Sequence, residues 1–232
     1  MRTYLIAGAS SGIARRITET LHHQGHNLYV ISRHPEQLGH LECLNFVEGN
    51  FLDDGFDPKG LPEKLDGLVY APGTINLKPF RGLKTSDFQN DFEVNVLGAI
   101  RVLQASQKAL KSGHLPSVVL FSTVAVRKGM AYHASIAAAK GAIEGLTRSL
   151  AAEWAPAIRV NAIAPSLTNT PLAARLLSSP EKEESSAKRH PLQRVGQADD
   201  IAAMAVFLLS ESSGWITGQV LGVDGGLSTL SV

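Results

Sequence analysis

Two glycines separate an apolar run from a helical repeat near the start of this chain, and few folds accommodate that arrangement. Tyr4-Leu5-Ile6 has the make-up of a short buried strand, and Ile13, Ile17 and Leu21 recur at the spacing of one helical face. Gly8 and Gly12 let the backbone turn tightly from the one into the other. The turn therefore feeds a helix N-terminus, where unpaired N–H groups and the positive end of the dipole favour a phosphate or pyrophosphate. Ser10 and Ser11 add hydroxyl donors to the same loop, with Ile13 directly after it. Taken alone, the loop also fits an ordinary strand–turn–helix connection. Its spacing is Gly-x-x-x-Gly-x-Ala rather than the commoner dinucleotide-binding Gly-x-Gly-x-x-Gly.

The rest of the chain repeats the pattern. Short β-branched runs (Leu28–Ile31, Leu44–Val47, Leu68–Tyr70, Ser117–Phe121, Ile158–Ile163, Gln219–Val223) alternate with long helical stretches (about 86–111, 133–154 and from Asp199 on). That alternation predicts βαβ units in an α/β, doubly wound parallel sheet of about seven strands. At 232 residues, with no internal repeat, the chain is expected to form a single domain over 1–232. With 22 Lys and Arg against 21 Asp and Glu, there is no basic face for nucleic acid. Cys43 is the sole cysteine, so no intrachain disulfide forms. No run reaches the roughly 20 apolar residues of a membrane helix, and no signal-peptide pattern precedes the first strand. A cytoplasmic protein without membrane contact is the expectation. His22, His23 and His26 cluster, but Gly25 breaks the helix between them and no cysteine or carboxylate is near, so no metal site is expected.

Candidate ligand-binding residues collect at the ends of the predicted strands, where open α/β sheets bind ligands. After the second strand come Ser32 and Arg33, with the first acid delayed to Glu36. A carboxylate there would repel a ribose 2′-phosphate whereas Arg33 can pair with it, which favours NADP(H) over NAD(H); a solvated surface arginine is the alternative. Asn50 and Phe51 stand where an adenine could sit, and Ala71-Pro72-Gly73 makes a turn that lets a ligand approach the backbone. Asn95, among apolar neighbours, must be buried and hydrogen-bonded. Ser122 and Thr123 end the fifth strand, and Lys140 stands out in an alanine-rich helix. The charged stretch 171–191, flanked by prolines, reads as a mobile segment over the site or as a solvated excursion.

Along its full length the chain resembles the classical short-chain dehydrogenase/reductase family. The resemblance lies in Gly8 to Ala14, Ala71-Pro72-Gly73, Asn95-Val96-Leu97-Gly98, Gly145-Leu146-Thr147-Arg148-Ser149-Leu150-Ala151, Arg159-Val160-Asn161-Ala162-Ile163-Ala164-Pro165 and Ile216-Thr217-Gly218-Gln219 through Val223-Asp224-Gly225-Gly226. It implies a Rossmann-like fold, a nicotinamide cofactor, a small carbonyl or alcohol substrate, and a homodimer or homotetramer built through the long helices and last strand. It also implies that the nicotinamide lies between Lys140, the Pro165-Ser166-Leu167 turn and Thr170. Thr168 and Thr170 are then candidates for its carboxamide or pyrophosphate, and Ser166 replaces the family's usual glycine.

The family's chemistry uses a serine, a tyrosine and a lysine four residues after the tyrosine. Anchored on Lys140, five residues before Gly145, the serine position falls on Thr123, beside Ser122, and the tyrosine position on Ile136. Ile136 cannot donate a proton. Tyr132 would share the face of Ile136 and Lys140 if the helix began early enough, and His133 lies three residues from Ile136, so either is a candidate substitute acid. An enzyme with an atypical site is therefore expected; the alternative is a cofactor-binding protein without turnover, acting as a sensor or an inactive partner subunit.

Overall fold

The computed structural model describes residues 1–231. Seven parallel strands form one sheet, in the order β3-β2-β1-β4-β5-β6-β9. These are β1 (Thr3–Ala7), β2 (Asn27–Ile31), β3 (Asn45–Phe46), β4 (Gly67–Tyr70), β5 (Ser117–Phe121), β6 (Arg159–Pro165) and β9 (Val220–Val223). A separate pair, β7 (Thr168–Asn169) and β8 (Gly196–Gln197), bridges the segment between β6 and the last long helix. The α-helices are α1 (Gly12–His23), α2 (Thr85–Phe92), α3 (Gly98–Lys111), α4 (Val124–Lys128), α5 (Ala134–Trp154), α6 (Pro180–Ala187) and α7 (Ala198–Leu209). This is the α/β parallel sheet expected from the alternating pattern, and the Rossmann-like fold that the resemblance implies.

The strands are continuously apolar because helices cover both sides of the sheet. Along β1 the side chains alternate between two cores. Leu5 and Ala7 face the layer that contains Val102, Leu103 and Ile143, whereas Tyr4 and Ile6 face the layer that contains Ile17, Ala205 and Leu208. Complete burial of a Leu or Ile stabilises by roughly 1.5–3 kcal/mol. The order reverses at β1, which pairs with β2 on one side and β4 on the other, leaving a crevice beyond their carboxyl ends.

The long helical pattern over 86–111 is one axis but not one helix. Residues Glu93–Leu97 widen into a π turn between α2 and α3. Asn95 accounts for the break: its side-chain Nδ2 donates to the Asp91 carbonyl at 2.7 Å, entering the backbone ladder where a regular turn would close. Periodicity could not reveal this, because the apolar spacing hardly changes across one inserted residue.

The stretch 171–191 has local structure, and no residue of α6 within it is buried. It contains a short turn at Pro171–Ala173 and α6, whose N-cap Ser179 accepts from the Lys182 N–H. Its end is pinned to the body of the protein by His190, which is buried. Among the described residues, no helix is long and apolar enough to cross a membrane.

Candidate active site

One cleft of about 760 Å³ runs along the carboxyl ends of the strands. The loop from β1 to α1 forms one wall. Gly8 has φ +83°, and a β carbon there would lie 3.1 Å from the Pro72 ring, so this loop and the Ala71-Pro72-Gly73 turn pack as closely as they do only through glycine. Gly8, Ser10, Ser11, Gly12 and Ile13 line the cleft, as do Ala71, Pro72 and Gly73. An anion fits this wall: α1 has no acidic residue in its first turn, and its N-cap Ser11 makes no side-chain capping bond. Its first N–H groups therefore keep their donor capacity for a ligand.

Ser32 and Arg33 follow β2 at one end of the cleft, with the Arg33 side chain exposed at its mouth. Phe51 is buried and lines the cleft together with Leu52. Asn50 does not reach it: its amide donates to Asp53 at 2.9 Å and its carbonyl oxygen accepts from the Leu52 N–H at 3.2 Å. A local turn has claimed that side chain. At the other end, Pro165, Leu167, Thr168 and Thr170 line the cleft, with Ser166 among them.

Lys140 enters from α5 and is buried. Its desolvation lowers the ammonium pKa from the ordinary 10.5 to about 8, against the opposing pull of the Asp91 charge. The π turn brings Asn95 to the same place from behind. A β carbon on Gly73 would lie 3.2 Å from Asn95 Oδ1 and 3.6 Å from Lys140 Nζ, so both polar atoms converge on the backbone of that turn. Asn95 Nδ2 also donates to Thr74 Oγ1 at 2.9 Å, and Thr74 donates to Asp91 Oδ1 at 2.6 Å. Asn95 Oδ1 and Asp91 Oδ2 are buried without a hydrogen-bond partner in the protein. Neither Asn95 nor Asp91 lines the cleft, so these acceptors belong to a polar network behind Gly73.

Thr123 and Ser122 both border the cleft but are differently committed. Thr123 caps α4, its hydroxyl accepting from the Ala125 N–H at 3.3 Å, which leaves the hydroxyl proton free. Ser122 instead donates to Glu144 at 2.8 Å. Ile136 lies one turn ahead of Lys140 and lines the cleft. His133 lines it too, with Nδ1 held by the Ala131 carbonyl at 2.7 Å.

Tyr132 does not join that face. The helix begins at Ala134, Tyr132 precedes it with φ +70°, and its side chain is 59% exposed outside the cleft. Tyr70 donates to the Val94 carbonyl at 2.6 Å, and burial pushes its phenol above the ordinary value. Among the described residues, no tyrosine lines the cleft.

One pair in the cleft was not legible in the sequence. His190 Nε2 lies 2.5 Å from Ser166 Oγ, and His190 Nδ1 lies 2.8 Å from the Ser186 carbonyl. Ser166 and His190 stand 24 positions apart, and the composition of the polar stretch around His190 singles out no partner for it.

The sheet order, the glycine wall and the lysine–asparagine convergence define a dinucleotide-cleft α/β protein. Residues 59–228 match the family model described as enoyl-(acyl carrier protein) reductase. A tropinone reductase homolog of Arabidopsis thaliana is 31% identical over 98% of this chain and 92% of its own. The structure of a short-chain type dehydrogenase/reductase from Mycobacterium ulcerans superimposes with a TM-score of 0.88, at 28% identity over 98% of this chain and 90% of that one. A structure described as ElxO with NADP bound gives 0.86, at 26% identity over 99% of this chain and all of that one. The chain belongs to the short-chain dehydrogenase/reductase family, whose typical cofactor is a nicotinamide dinucleotide.

Proposed function

We propose that this chain binds NADP(H) and interconverts a small carbonyl compound and its alcohol, with Ile136 where the family places its tyrosine. The observation that carries the reading is the convergence of Lys140 Nζ, in the cleft that begins at the glycine wall, with Asn95 Oδ1 behind Gly73. When bound, the cofactor supplies or accepts a hydride. The protein's share is to hold, orient and move a proton. The first turn of α1 with Ser10 and Ser11 would take the pyrophosphate, Phe51 the adenine side, and Thr168 and Thr170 the nicotinamide end. Lys140 would hold the nicotinamide ribose, and the Thr123 hydroxyl would orient the substrate oxygen.

Arg33 favours NADP(H), since a guanidinium at the mouth of the cleft can pair with a 2′-phosphate and no carboxylate directly follows β2 to repel one. The relative with bound NADP supports the same preference. Arg33→Asp is expected to weaken NADPH binding by roughly 10- to 100-fold and leave NADH binding nearly unchanged, the scale of a lost charge-assisted hydrogen bond plus a new repulsion. Fluorescence titration with each coenzyme checks it; equal affinities for both, indifferent to the change, refute the preference.

A second reading, cofactor binding without turnover, is supported by the lack of a cleft-lining tyrosine among the described residues. The two part on one assay. Binding of NADPH with no oxidation of it against a panel of aldehydes, ketones and quinones would support the second. A homodimer or homotetramer belongs to either reading, and the fully exposed Trp215 is consistent with it.

A further inference from the structure

We propose that Ser166 and His190 form a proton-relay dyad facing the cleft, with Ser166 as the proton donor and acceptor for the substrate oxygen and His190 as its reservoir. This deepens the reductase function proposed above and rests on it. The carbonyl of Ser186 can only accept, so His190 Nδ1 carries a proton and donates it across 2.8 Å. In the neutral ring Nε2 must then be the unprotonated nitrogen, and Ser166 donates its hydroxyl proton across 2.5 Å. The serine thereby turns lone pairs toward the cleft. Protonation of Nε2 reverses that bond: the imidazolium donates to Oγ, and the Ser166 O–H is released to donate into the cleft. One state suits a bound alcohol and the other a bound carbonyl.

Several features separate this pair from an incidental surface contact. His190 is only 3% exposed and is held at both ring nitrogens, so its orientation is set. Ser166 is half-buried, and both residues line the cleft, in the segment that also contributes Pro165 and Leu167. The charged groups around it come from different elements. Asp224, after β9, accepts from the Gly226 and Ser228 N–H groups; burial raises its carboxyl, these donors outweigh that and hold it below the ordinary range, and a second proton on His190 would act in the same direction. Arg189 precedes His190 on its own segment, and Lys128 of α4 donates to the Leu227 carbonyl in the turn that follows Asp224.

In the reductive direction the carbonyl carbon gains the hydride that reduced nicotinamide provides. Its oxygen takes the Ser166 Oγ proton, and Oγ is refilled from His190 Nε2. One C–H and one O–H bond form, the coenzyme is oxidised by two electrons, and His190 ends neutral until water in the emptied cleft reprotonates Nε2. Oxidation of the alcohol runs the same transfers backwards.

Two measurements decide this. The first is ¹⁵N spectroscopy of the histidine-labelled chain, with the His190 signals assigned through His190→Gln. A neutral ring protonated on Nδ1, whose Nε2 signal moves on Ser166→Ala and again on addition of NADP⁺, is expected. A neutral ring protonated on Nε2 alone, or a signal indifferent to both changes, overturns the dyad. The second is steady-state reduction with NADPH and the most active carbonyl of the panel. Ser166→Ala should lower kcat by about 10²-fold or more, the scale of a lost general acid, with NADPH affinity nearly kept. Ser166→Thr should recover much of the rate, and His190→Gln should flatten the pH profile of kcat, which a merely structural hydrogen bond would not do. Turnover unchanged in Ser166→Ala overturns the donor role and leaves the reductase function standing. NADPH binding without any turnover in the parent chain overturns both.

Discussion

In a Ser166→Ala chain, replacing Ile136 by tyrosine is expected to raise carbonyl reduction by about 10²- to 10⁴-fold, the range a positioned general acid supplies. Ile136 is buried, lines the cleft and lies one helical turn before Lys140, so a phenol there would stand beside the ammonium. A nearby positive charge favours phenolate and lowers the tyrosine pKa toward neutrality, which is what proton transfer near pH 7 needs. In the parent background the gain should be much smaller, because Ser166 and His190 already provide a proton. The measurement is kcat for the four chains of the cycle, with NADPH affinity as a control. Equal kcat with and without the tyrosine, in a chain that still binds NADPH, would show that position 136 does not face the reacting oxygen.

Lys140→Met is expected to act in opposite senses on activity and on stability. Turnover should fall by at least about 10²-fold, since the residue proposed to hold the nicotinamide ribose in place for hydride transfer is gone. The protein without cofactor should nevertheless become more stable at neutral pH, by up to about 3 kcal/mol, which is the equivalent of a Lys140 pKa lowered from 10.5 to about 8. The sign follows from proton counting. Between pH 8 and 10.5 the unfolded parent chain holds more protons than the folded one, so the parent gains stability as pH rises through that window. The methionine variant has no such group. Its advantage should be largest below pH 8 and vanish near pH 10.5, and thermal unfolding of the two chains without cofactor checks it, at about 2–4 °C per kcal/mol for a chain of this size. A parent chain that melts higher at every pH would show that solvent or a partner group already satisfies the ammonium.

Both experiments turn on residues that the amino-acid sequence reveals to different degrees. Lys140 is legible because a lone lysine in an alanine-rich, helix-periodic stretch is conspicuous and because the family resemblance puts a lysine five residues before Gly145. Asn95 was legible as a buried amide, yet its π turn was not: the widening depends on where its side chain finds a carbonyl, and the apolar pattern is blind to that. Tyr132 stays off the face of Ile136 and Lys140 for a similar reason. A helix that reads as starting near His133 leaves Tyr132 one residue outside, and a left-handed backbone there swings the ring into solvent instead of along the helix face. Asn50 lost its place to a neighbour in sequence, Asp53, whose carboxylate competes for the amide.

What the amino-acid order decided by itself was the layered architecture and the glycine wall. Strand and helix periodicities, the Gly8 and Gly12 turn and the polar residues at strand ends are local properties, written within a few positions of one another. What only the folded chain decided was which distant side chains meet in the cleft and behind it. The meeting of Ser166 with His190, and of Thr74 and Asp91 with Asn95, depends on how β6, α6 and the π turn pack. No local pattern records those contacts, because hydrogen-bond partners are chosen by distance in space and the chain reaches them only after its apolar faces have closed.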